Sequence, residues 1–165
     1  MLAKKIINAI ALGLVTFILL FSSASATSPD NSEFEAIEQI LASYGFTVEL
    51  AIPPYQNRFG IRPYGAVNNQ DNKVWINPIV FDLGNAVPTI VHEAVHVAQL
   101  CKGGKSSFQL INLDIAPPKI THPYFTRYHN YQREIEAEAY TVQVQPNKTE
   151  LAKELLAKHC LPESE

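Results

Sequence analysis

The sequence predicts an α+β domain, and three stretches carry that reading. His92-Glu93-Ala94-Val95-His96 lies in a run free of glycine and proline from Thr89 onward, with no charge beyond its own, as a buried helix requires. Phe46 to Ile52 alternates apolar and polar residues with the period of a half-buried strand. Tyr131 to Val144 is rich in glutamate and alanine and meets no breaker until Pro146, which reads as a second long helix. The expected order is an N-terminal helix, a small mostly antiparallel sheet, the histidine helix, a long loop, the glutamate helix and a C-terminal helix.

The first 26 residues read as an export signal. Lys4 and Lys5 form its positive start, Ile6 to Phe21 its apolar run, and Ala24-Ser25-Ala26 its small-residue cleavage site. The apolar run is short for a bilayer span, so cleavage before Thr27 is expected and the product is secreted or periplasmic. Residues 27–165 then form a single domain, expected to be a monomer. Cleavage removes two lysines and no acid, moving the formal charge from −3 to −5. That balance argues against nucleic acid and against stable association with an anionic membrane.

Ser32-Glu33-Phe34-Glu35 matches a capping box and opens a helix with Phe34, Ile37, Leu41 and Tyr44 on one side. Gly45 closes it, and Pro53-Pro54 ends the strand that follows. Gly65 to Val67 and Lys73 to Asn77 read as a hairpin around the polar turn 68–72. Asn85 and Pro88 mark the start of the histidine helix and Gly103-Gly104 its end, while Ile90, Ala94, Val97 and Cys101 give it an apolar back.

Ser106 to His129 has no sustained periodicity, contains Pro117, Pro118 and Pro123, and carries many aromatics. A loop of that length in a compact domain is commonly a lid or a cleft wall. Asn147 caps a last helix whose Leu151, Leu155 and Leu156 lead to Cys160. In an exported chain, Cys101 and Cys160 are expected to pair.

Residues four apart on a helix sit about 40° apart and roughly 6 Å along the axis, so His92 and His96 can grip one ion. Glu93 can then reach a water beside that ion and act as general base. Zinc in a catalytic site usually takes three protein ligands. A third histidine six residues after His96 is excluded, because Lys102 stands there and Gln99 replaces the glycine that pattern needs. On the downstream helix Glu134 and Glu138 share a face, with Glu136 about 200° from Glu134.

With Arg133-Glu134-Ile135-Glu136-Ala137-Glu138 after the HExxH stretch, the chain resembles the gluzincin metallopeptidases. The resemblance implies a zincin-like fold with zinc held by His92, His96 and Glu134, and with Glu138 as the residue that steadies Glu134. It also implies that Lys73 to Asn77 is an edge strand along the cleft, where a peptide could add by main-chain hydrogen bonds. Arg133 and Glu138 depart from the asparagine and aspartate of the thermolysin pattern, which leaves Glu138 open as an alternative ligand. It further implies a secreted peptidase in which zinc-activated water, with Glu93 as base, attacks peptide or protein substrates. His129, Tyr128 and Tyr131, with Tyr124 and His122, are candidates for steadying the oxyanion. The alternatives are a catalytically inactive exported zinc-binding module and a hydrolase acting on another bond.

Overall fold

The computed structural model describes residues 29–56, 60–126, 128 and 130–161. The export signal expected over residues 1–26 and the candidate His129 lie outside them. Among the described residues the fold is α+β, with six α-helices and one three-stranded sheet.

Helix α1 spans Pro29–Ser43, one turn earlier than the capping box suggested, because proline is tolerated in a first helical turn. Phe34, Ile37 and Leu41 are buried along its inner face. Gly45, at φ +80, ends it: Phe46 N–H reaches back to Leu41 O and Gly45 N–H to Ala42 O.

The chain then enters β1, Thr47–Leu50, passes Pro53-Pro54, and forms β2, Gly65–Asn68, and β3, Lys73–Ile76. The order is β1-β3-β2, with β2 antiparallel and β1 parallel to β3. The sheet is therefore mixed rather than mostly antiparallel. Pro53-Pro54 forbids a tight return after β1, so the chain travels round to the far side of β3 before pairing. The predicted hairpin is present: Asn68 accepts from Gln70 N–H through its side chain, and Asn72 adopts φ +47. The expected edge strand is not at the edge. β3 is central, with Val74, Trp75 and Ile76 buried, and β2 takes the edge.

A short helix α2, Ile79–Asp82, leads to α3, Ala86–Lys102. Pro88 in its first turn forfeits no helical hydrogen bond. Helix α3 is buried from Ala86 to Leu100 apart from Pro88, with α1, α5, α6 and the sheet packed around it. An all-round buried helix needs apolar residues on every face, so the polar groups it retains call for explanation.

The long connection holds a 3₁₀ turn, Lys119–Thr121, and a one-turn helix α4, His122–Phe125. Helix α5, Asn130–Gln143, and helix α6, Lys148–His159, complete the fold. On α5 the buried residues Ile135, Ala139 and Val142 form the core stripe, and on α6 Ala152 and Leu156 do so.

Cys101 at the end of α3 and Cys160 just past α6 form the expected disulfide, 59 residues apart in sequence. Such a crosslink belongs to an oxidising compartment. Among the described residues no helix is long and apolar enough to cross a membrane. Closing a loop of that length removes unfolded-chain entropy amounting to about 4 kcal/mol. Cys160→Ser is therefore expected to lower unfolding stability by a comparable amount in denaturant titrations, and wild-type protein unfolded without reductant should show no titratable thiol.

Candidate metal centre

His92 and His96 project from α3 into a cleft of about 610 Å³ between β2, the long connection and α5. Their Nε2 atoms lie 3.1 Å apart. Glu136 Oε2 stands 3.4 Å from His92 Nε2 and 3.7 Å from His96 Nε2, so three donor atoms from two helices converge on one point. This group could hold a metal ion.

The third member is Glu136, not the expected Glu134. The core stripe of α5, Ile135, Ala139 and Val142, is flanked on both sides by acids at about 100°. One flank carries Glu136, Tyr140 and Gln143 and faces the histidines: Tyr140 packs its ring on His92 at 4.5 Å, and Gln143 Oε1 lies 2.8 Å from His92 Nδ1. The other flank carries Glu134, Glu138 and Thr141 and lines a separate depression against the segment 110–117. Glu134 and Glu138 do share a face, but it points away from the cluster. Glu138 therefore neither joins the three donors nor steadies Glu134. It accepts from Gln99 Nε2 at 2.9 Å and from the backbone N–H groups of Ile111, Asn112 and Leu113.

Both imidazoles are gripped from behind. His96 Nδ1 lies 2.8 Å from Gln99 Oε1, and His92 has Gln143 in the matching place. An acceptor behind each ring favours a proton on Nδ1, so that Nε2 is the nitrogen facing the cluster. In the metal-free chain burial alone would push His96 down, yet the adjacent Glu136 carboxylate, with Glu93 and Gln99, raises it to about 9. Burial likewise works to raise Glu136, but hydrogen bonding and charge from the two imidazoles hold it well below the usual carboxylate range. Positive charge on His96 is thus favoured by the carboxylate beside it.

Glu93 lies beside the cluster and lines the same cleft, 4% exposed. Burial pushes its carboxyl up, the histidines opposing and Glu136 adding to the rise. Its Oε2 has no hydrogen-bond partner among the described residues. The neighbour that makes room for it is Gly65, at the start of β2. A Cβ there would sit 2.5 Å from Glu93 Oε1 and 2.7 Å from its Cδ, so any larger residue must displace the carboxylate.

Of the aromatic candidates, Tyr128 and Tyr124 line the cleft and Tyr131 does not. Tyr131 donates its hydroxyl to Phe108 O at 3.0 Å and accepts from Leu110 N–H, tying down the long connection. His122 packs against Phe125 and is not part of the cleft wall. Gly65, Gln99, Glu136, Tyr140 and Gln143 were not singled out from the sequence. For the last four the usable signal is spacing: Glu136, Tyr140 and Gln143 recur at i, i+4 and i+7, and Gln99 falls three residues after His96.

The model of the family described as a domain of unknown function (DUF8637) matches residues 61–161, more than half of the chain, and the protein belongs to that family. No curated protein and no solved structure matches it significantly.

Proposed function

We propose that this protein is an exported zinc-dependent hydrolase, a small metallopeptidase acting on peptide or protein segments. The observation that carries the reading is Glu93, a buried carboxylate with an unpartnered oxygen beside three converging metal donors. Metal binding alone does not require it, and a buried carboxylate without a partner is costly to keep.

The donor set suits zinc. Nitrogen and oxygen ligands at about 2.0–2.2 Å in tetrahedral array stand roughly 3.3 Å apart, and the three separations here are 3.1, 3.4 and 3.7 Å. Two imidazoles and one carboxylate are also the three protein ligands that a catalytic zinc ion would take. When bound, zinc supplies Lewis-acid polarisation of a carbonyl and lowers the pKa of water.

The chain's own residues supply the remainder. Glu93 takes the proton from the attacking water and delivers it to the leaving amine, and burial, by making it a stronger base, suits it to that task. Tyr128, on the cleft wall, is the candidate donor to the developing oxyanion. Strand β2 offers a place for an extended peptide. Tyr64 O accepts from Asn77 N–H, and antiparallel alternation then turns the N–H and C=O of Gly65 and Val67 away from β3. Gly65, Ala66 and Val67 all line the cleft, so a peptide added there would pass in front of Glu93.

The test is cleavage of a broad peptide library by protein stripped with a chelator and by the same protein reloaded with zinc. Cleavage that appears only after zinc is returned supports the reading. A zinc-loaded protein that binds the metal and cleaves nothing favours a binding module. Gly65→Ala is expected to keep zinc and lose about 100-fold in turnover, since displacing a reacting group by about 1 Å costs that much. Equal turnover in Gly65→Ala and wild type would show that Glu93 is not held by that contact.

A further inference from the structure

Gln99 lies outside the three donors yet controls one of them. Its side chain is fully buried. Its Nε2 donates to Glu138 Oε2 at 2.9 Å and to Ile135 O at 3.0 Å. An amide nitrogen facing two acceptors cannot exchange places with its oxygen, so Oε1 must point the other way. There it lies 2.8 Å from His96 Nδ1. His96 is thereby the donor at Nδ1, and Nε2 is the nitrogen aimed at Glu136 and His92.

Glu138, which sets this orientation, is itself fixed from the opposite side. Ile111 N–H and Asn112 N–H donate to its two oxygens at 2.8 and 2.6 Å, with Asn112 at φ +63. The same segment is held by Lys102 Nζ, 2.6 Å from Leu110 O, and by Tyr131. It also presents Phe108, which lines the cleft and meets the His96 ring edge-on at 5.8 Å.

We propose that Gln99, locked by Glu138, is a positioning residue for the metal centre, so that His96 and the cleft wall at 108–113 are set as one unit. This rests on the zinc reading above. Glu138 reaches His96 through Gln99 by hydrogen bonds, and through the 108–113 segment by way of Phe108; if the first route dominates, Glu138 and Gln99 act in series. Tyr131 supplies the comparison, since it tethers the same segment without touching Gln99.

Zinc affinity of wild type, Gln99→Leu, Glu138→Ala, their double variant and Tyr131→Phe would be measured by competition with a chromophoric chelator. Each single change in the relay is expected to weaken zinc binding about 10- to 100-fold, the range for partners behind a ligand. The double variant should lose no more than the worse single one, and Tyr131→Phe should match wild type. Wild-type affinity in Glu138→Ala, losses that multiply in the double variant, or an equal loss in Tyr131→Phe would each overturn the proposal. Should Gln99→Leu not fold, Glu138→Ala against Tyr131→Phe decides it alone. A wild type that takes up no zinc would overturn the zinc reading and this proposal with it; a wild type that binds while the relay variants match it overturns this proposal only.

Discussion

Replacing Glu93 by glutamine is expected to leave zinc bound and to lower turnover by about 10²- to 10⁴-fold, the usual contribution of a positioned general base. The amide keeps the size and shape of the side chain, so Gly65 can still pack against it, but it cannot take a proton from water. A second effect accompanies the first. Glu93 is buried, its carboxyl is pushed up by that burial, and one oxygen has no partner among the described residues. Removing the charge removes a desolvation cost, so metal-free Glu93→Gln should melt no lower than wild type. A rise in melting temperature with loss of turnover is the signature of a residue kept for chemistry at the expense of stability. Loss of zinc, or a marked fall in melting temperature, would assign Glu93 to the architecture of the site instead.

Glu136→Ala is expected to empty the site, whereas Glu134→Ala should bind zinc as wild type does. Structural zinc sites bind with about 10–16 kcal/mol shared among four ligands, so deleting one costs about 3 kcal/mol, which is more than 100-fold in affinity. Glu134 stands on the opposite flank of α5 and lines a different depression, so its removal leaves the three donor atoms in place. Titration of both variants with zinc, alongside wild type, separates the two assignments. The same pair of variants also checks the orientation of α5, because only the flank carrying Glu136 meets the histidines.

The histidine helix was legible because it is over-determined. Proline near its start, two glycines after its end, and apolar residues throughout left few other structures for Ala86–Lys102, and the spacing of His92 and His96 left one geometry for a shared ion. The disulfide was legible for a similar reason, since two cysteines in a chain read as exported have only one intramolecular pairing to make. The third donor was not. Ile135, Ala139 and Val142 identify the core face of α5, but Glu134 and Glu136 flank it almost symmetrically. Which flank meets α3 depends on the direction in which α5 crosses it. That is fixed by tertiary packing and by the tethers on the 108–113 segment, contacts between residues some 25 apart in sequence. The strand order escaped for a comparable reason: local alternation marks strands but carries no record of neighbours. Gly65 shows the limit most plainly. A glycine opening a strand looks like a turn residue, and only the proximity of Glu93 reveals that it is there to leave space.

The position of the metal decides between Glu136 and the acids on the other flank of α5. Crystals of the protein loaded with zinc, measured at the zinc absorption edge, would locate it directly by anomalous scattering. One strong peak is expected about 2.0–2.2 Å from Nε2 of His92, Nε2 of His96 and a carboxylate oxygen of Glu136. A peak on Glu134 or Glu138, or a zinc-free cluster in protein shown to be folded and disulfide-bonded, would contradict it.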